Sequence, residues 1–128
     1  GLNMLNTRKI ERLKTRSGGC LTKLINSQSI VSRDDLEVYC LYMPSGEVKD
    51  WRRHRELACN LFLINGKVVV EGMNSNESVS KYSLEIDGDN FVSIPPGTAF
   101  RILNLSDEEA IISNVLNGQH SDDEVEFL

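Results

Sequence analysis

Residues 57–71 read LACNLFLINGKVVVE. Two apolar runs, Leu57 to Ile64 and Lys67 to Glu71, flank Asn65-Gly66. Asn-Gly between apolar runs is the strongest short hairpin signal, because both central residues of a type I′ turn need positive φ. The stretch therefore predicts two strands joined by a hairpin turn at Asn65-Gly66. Working outward, Leu36 to Met43 (LEVYCLYM) is apolar and aromatic and is ended by Pro44-Ser45-Gly46. Downstream, Asn74 to Ser80 is a polar loop and Asp87-Gly88-Asp89 a turn. Phe91 to Ile94 is a short strand stopped by a second predicted hairpin turn, Pro95-Pro96-Gly97, and Ala99 to Asn104 resumes a strand. Short strands with turn signals about every ten residues indicate a β-sandwich or barrel.

The two ends are less determined. Ile10, Leu13 and the run Cys20 to Ile25 supply two edge strands around Ser17-Gly18-Gly19, or else Leu2, Leu5, Ile10 and Leu13 share one face of a short helix. Ser106-Asp107-Glu108-Glu109 has the form of a capping box, and Ile111, Ile112, Val115 and Leu116 have helical spacing. The β-branched content and the surrounding strands favour a strand for 106–116, after an acidic turn. The tail Ser121 to Leu128 is acidic and is expected to lie over the barrel rather than in it.

The chain has 128 residues, about one domain, with a core expected at about 8–117. Gly1, with no initiator methionine before it, reads as a residue left from cloning. No apolar run approaches the ~20 residues of a membrane helix, and no signal peptide opens the chain. The formal net charge of -5 argues against a nucleic-acid protein, which needs a concentrated basic footprint. The local basic run from Lys49 to Arg55 is the exception. Cys20, Cys40 and Cys59 form no disulfide framework and read as reduced thiols of a cytoplasmic protein. There is no GxGxxG, P-loop, CxxC or GxSxG motif.

Two stretches together resemble the paired motifs of the cupins. The first is Trp51-Arg52-Arg53-His54 through Cys59 to Gly66. The second runs from Gly88 through Pro95-Pro96-Gly97 and Phe100 to Asn104. The finer resemblance, over roughly residues 8 to 126, is to the 3,5-epimerases and 3,4-ketoisomerases that act on dTDP-4-keto-6-deoxyhexoses. It rests on Gly46 to His54, on Asn60-Leu61-Phe62, on Ile94 to Gly97, and on Asn114 to Asn117 with His120 to Glu124. The resemblance implies a jelly-roll barrel, a homodimer, and a nucleotide sugar in the barrel mouth. The N-terminal strand is the natural element to cross to a partner.

Alternation along a strand turns Arg52 and His54 the same way, and the resemblance makes that way inward. In the cupin metal positions this chain carries Arg52, His54, Cys59 or Ala58, and Phe100. Arginine stays protonated and cannot be a ligand, so no metal or other cofactor is expected. The family's base is a histidine held by a carboxylate, and that position aligns with Arg52, which cannot accept a proton near neutral pH. His54 is then either the base or a hydrogen-bonded barrel residue. Tyr42 is a second candidate for moving a proton. Lys49 sits where the family holds the diphosphate with an arginine. Substrate contacts are expected from Lys49, Arg52, Trp51, Cys59 and Phe100.

Three functions follow. The first is a nucleotide-sugar epimerase or ketoisomerase of surface-polysaccharide synthesis. The second is a non-catalytic cupin that binds a sugar nucleotide or another small anion, and the third is a structural partner in a polysaccharide-assembly complex.

Overall fold

The computed structural model describes residues 5–24, 36–119 and 121–128. Leu2 and Ile25 of the N-terminal reading, and His120 of the tail motif, lie outside the described residues. Among the described residues there are strands and turns but no helix. One sheet runs β1 (Asn6–Arg8), β9 (Phe91–Ile94), β6 (Cys59–Asn65), β11 (Ala110–Leu116), β4 (Glu37–Met43). The other runs β12 (Val125–Phe127), β5 (Val48–His54), β10 (Phe100–Leu103), β7 (Lys67–Met73), β8 (Val79–Glu85). A short ribbon of β2 (Leu13–Lys14) and β3 (Cys20–Leu21) turns at Ser17-Gly18-Gly19, as the strand reading expects. Every pairing is antiparallel.

Alternation explains the core. Leu61 and Leu63 of β6, Val92 and Ile94 of β9, and Ile112 and Leu116 of β11 face Val68 and Val70 of β7, Leu84 of β8, and Phe100 and Ile102 of β10. All are almost completely buried. The segment with the capping-box pattern is strand β11, bonded on both sides. Ser106 caps no helix; its hydroxyl donates to Asn104 Oδ1 at 2.6 Å. Strand β8 begins at Val79, inside the stretch expected as a polar loop to Ser80, and alternates cleanly, with Leu84 inward and Val79, Lys81, Ser83 and Glu85 exposed.

Three expectations need correction. Asn65-Gly66 is not a hairpin turn: β6 and β7 belong to different sheets. Only Gly66 has positive φ, at 78°, whereas a type I′ turn needs two such residues. Pro95-Pro96-Gly97 likewise carries the chain from β9 across to β10 in the opposite sheet. A jelly-roll corner and a hairpin share turn residues, and only the partner of each strand tells them apart. The hairpin in the barrel is β7–β8, across the loop at 74–78. Finally, the tail adds β12 to the edge of β5 rather than lying over the sheet. At the other end of the chain, β1 pairs with β9.

The corner at Gly66 is tight. A Cβ there would lie 2.9 Å from the Glu109 carbonyl oxygen and 3.1 Å from Ala110 Cα, both backbone atoms. Gly66→Ala should cost about 2–4 kcal/mol, combining the left-handed conformation with overpacking. At Gly46 φ is +81° but a Cβ meets nothing within 4 Å. Gly46→Ala should therefore lose only about 1–2 kcal/mol. Equal urea midpoints for the two variants would refute the crowding argument.

Candidate functional site

A cavity of about 70 Å³ opens between the sheets, walled by Tyr39, Lys49, Arg52, His54, Phe100 and Asn114 together with Leu41, Leu61, Ile102 and Val125. Simple alternation would put Lys49 and Arg52 on opposite faces of β5. The ladder shows why both reach the cavity: Phe100 pairs with Arg52 and Ile102 with Lys49, so Asp50 and Trp51 together oppose Arg101. That is a β-bulge, an extra residue that reverses the alternation and re-aims side chains.

His54 ends β5 and is 5% exposed, its ring stacked on Phe100 with centroids 6.2 Å apart. Its Nδ1 is hydrogen-bonded to Oε2 of Glu124, just before β12. The other carboxylate oxygen accepts the backbone N–H groups of Glu56 at 2.9 Å and Leu57 at 3.0 Å. Burial pushes the Glu124 carboxyl up, but the bonds from Glu56, His54 and Leu57 outweigh it and hold its pKa below the usual glutamate value. The carboxylate is thus fixed as the orienting partner of the imidazole at Nδ1.

A depressed pKa in the fold also sets a pH dependence. The stabilisation is present above the ordinary glutamate pKa and is lost as pH falls through the lower, folded value. The wild type should lose stability on acidification more steeply than Glu124→Gln, measured by urea midpoints from about pH 6 to about pH 3. Parallel curves would refute the coupling.

At the cationic end, the Arg52 guanidinium lies 5.3 Å from the Phe127 ring centroid, and its Nε donates to the Asp50 carbonyl at 3.1 Å. Lys49 Nζ is 3.0 Å from Glu47 Oε1. Opposite, Asn114 Nδ2 donates to the Tyr39 hydroxyl at 2.9 Å, while its Oδ1 accepts the Asn60 N–H at 3.1 Å. The Tyr39 oxygen accepts this bond, so its own proton is left to donate. Burial raises its pKa and keeps that proton on.

Of the residues singled out in the sequence, Lys49, Arg52, His54 and Phe100 come together on the cavity wall. Tyr42 does not: it faces outward from β4 and is 62% exposed. Trp51 is also outside the cavity lining, with the Arg101 guanidinium 5.3 Å from its ring centroid. Cys59 is core, packed among the buried apolar side chains, and burial pushes its thiol up to about 12, which leaves it unreactive. Sequence reasoning missed Tyr39, Asn114 and Glu124. Among the described residues no group of three or more His, Cys, Asp or Glu side chains is placed to hold a metal.

The cavity has cations at one end, an imidazole backed by a carboxylate, and a phenol opposite. Solved structures with the same architecture include a dTDP sugar isomerase from Desulfovibrio desulfuricans G20. It is 17% identical, with a TM-score of 0.82 over 97% of this chain and 83% of that one. The chain has the cupin fold of the dTDP-sugar isomerases. The TDP-quinovose 3,4-ketoisomerase WlaRB of Campylobacter jejuni is 14% identical, with a TM-score of 0.81 over 99% of this chain and 95% of that one. The sugar 3,4-ketoisomerase QdtA of Thermoanaerobacterium thermosaccharolyticum, solved in complex with TDP, is 15% identical, with a TM-score of 0.77 over 98% and 89%. No protein-family model matches the sequence, and no curated protein does. Among the described residues no helix is long and apolar enough to cross a membrane.

Proposed function

We propose that this cupin binds a dTDP-4-keto-6-deoxyhexose and moves a proton on the carbon next to its ketone, as an epimerase or ketoisomerase serving surface-polysaccharide synthesis. The observation that carries the reading is the His54–Glu124 pair on the wall of a cavity that also holds Lys49 and Arg52. A buried imidazole with its tautomer set by a carboxylate is the proton acceptor such chemistry needs. Arg52 cannot serve, so the role passes two residues along β5 to His54.

In the reaction, His54 Nε2 takes the proton from the carbon beside the ketone. The C–H electron pair forms the enolate double bond, and the ketone oxygen becomes an oxyanion. Arg52 stabilises that charge electrostatically, and the Tyr39 hydroxyl is placed to donate to it. Reprotonation of the opposite face by the Tyr39 hydroxyl, with His54 and Tyr39 resetting their protons through solvent, completes an epimerisation. Return of the His54 proton to the former ketone carbon, with the proton of the adjacent hydroxyl passing to the oxyanion, completes a ketone shift. Lys49 and Arg52 also attract the diphosphate by charge-assisted hydrogen bonds.

The direct assay is deuterium exchange from solvent into dTDP-4-keto-6-deoxyglucose. Incorporation supports the reading, and binding without exchange leaves a non-catalytic binder, which Arg52 in the base position also suits. Lys49→Ala should weaken dTDP binding about tenfold at low salt and less at high salt, because the charge pair is screened. An effect independent of salt would count against phosphate contact. We also read the protein as a homodimer, since the outer face of edge strand β4 exposes Val38 and Tyr42, each 62% accessible. Light scattering at micromolar concentration decides this.

A further inference from the structure

The cavity is too small for its proposed ligand. It measures about 70 Å³. Pockets for organic ligands run to about 300–1,000 Å³. Part of the wall has to move before a nucleotide sugar can enter, and the wall strands are held very unequally. β10 lies between β5 and β7, β6 between β9 and β11, and β11 between β6 and β4. Edge strand β4 is bonded to β11 along seven residue pairs. β12 pairs with β5 alone, through three: Val125 with His54, Glu126 with Arg53, and Phe127 with Arg52.

That weakly held segment meets the site at three places. Val125 walls the cavity, Glu124 holds His54, and Phe127 covers the Arg52 guanidinium. Its outer latch is the ion pair of Arg53 with Glu126 at 2.8 Å, both side chains more than a third exposed. Exposed pairs of this kind contribute little, about 0–1 kcal/mol. Phe127 and Leu128 are already 70% and 56% exposed, so the apolar side chain that peeling the segment away uncovers is chiefly Val125, 7% exposed.

We propose that residues 121–128 form a strap that opens to admit the nucleotide sugar and closes over it. Closure sets Glu124 on His54 in the same movement, so the proton acceptor is oriented only when the ligand is enclosed. The ligand named here rests on the reading given under Proposed function; the movement does not.

The test is a reversible lock. Arg53 and Glu126 are directly paired across the β5–β12 ladder and lie outside the cavity lining. Opposed positions in an antiparallel ladder, ~4.5–5.5 Å apart at Cα, are within disulfide reach. Arg53→Cys with Glu126→Cys is made in a background of Cys20→Ser and Cys40→Ser, which removes the two exposed native thiols. Two measurements follow on the oxidised and reduced forms. The first is hydrogen exchange, without ligand, at the amides of Arg55, Glu56 and Leu57, whose acceptors all belong to Glu124. Oxidation should slow all three together by at least tenfold. Unchanged exchange overturns the strap. The second is the association rate of dTDP, which should be at least tenfold slower in the oxidised form. Equal rates also overturn it. If the amides slow but the reduced form binds no dTDP, the strap stands and the nucleotide-sugar reading falls.

Discussion

Asn104→Ala should remove about 3–5 kcal/mol of stability, because it strands several buried polar groups at once. Asn104 is fully buried. Its Nδ2 donates to the carbonyls of Met43 at 2.9 Å, Pro44 at 3.1 Å and Glu108 at 2.8 Å. Its Oδ1 accepts the N–H of Ser106 at 3.1 Å and the Ser106 hydroxyl at 2.6 Å. One amide therefore ties together the end of β4, the Pro44 corner and the acidic turn into β11. Each group left without a partner costs about 1–3 kcal/mol, against a total of about 5–15 kcal/mol for a domain. Asn104→Asp should be as harmful, since a carboxylate has no N–H to give three carbonyls. Asn65→Ala is the comparison: an exposed asparagine with one bond, Nδ2 to the Glu109 carbonyl at 3.1 Å, should lose under about 1 kcal/mol. A loss below about 1 kcal/mol for Asn104→Ala would mean that solvent replaces the amide and the corner is held by other means.

The strands were legible where alternation has one apolar phase, and ambiguous where it has two. Phe91–Ile94 is predicted to the residue, because Pro95 ends it and Asn90 precedes it. In β4 both phases are apolar: Tyr39, Leu41 and Met43 on one side, Val38, Cys40 and Tyr42 on the other. No local rule chooses between them, which is why Tyr42 was singled out and Tyr39, the tyrosine on the cavity, was not. The phase is set by sheet neighbours: Met43 is buried opposite Ala110. The same non-locality turned two corners into expected hairpins.

Site residues show the same division. His54 and Arg52 follow from alternation, but Lys49 reaches the cavity only through the bulge at Asp50-Trp51, which leaves no compositional mark. Glu124 was hidden by company. In Ser-Asp-Asp-Glu-Val-Glu-Phe-Leu (121–128) the carboxylates suggest a solvated tail, yet Val125 between two glutamates and Phe127 beyond them carry the alternation of a short strand. Its partner β5 lies some seventy residues upstream, Val125 opposite His54, and sequence order says nothing of that pairing.

His54→Ala should reduce deuterium exchange into dTDP-4-keto-6-deoxyglucose by about 10²–10⁴-fold, the usual contribution of a positioned general base. The dissociation constant for dTDP should change by less than about threefold, since the diphosphate is assigned to Lys49 and Arg52, whose charges remain. Glu124→Gln separates positioning from bulk. The amide can still accept the Glu56 and Leu57 N–H bonds that hold the loop, but it no longer stabilises the imidazolium formed when His54 takes a proton. It should lower the exchange rate by about tenfold or more with little change in dTDP affinity. Glu124→Asp, which keeps the charge on a shorter arm, should recover part of the rate. A purely structural Glu124 gives a different result: the rate falls only in step with the folded fraction, and Glu124→Asp recovers no more rate than it recovers folded protein. Exchange that survives His54→Ala would move the base elsewhere on the wall, and Tyr39→Phe would then be the variant to lose it.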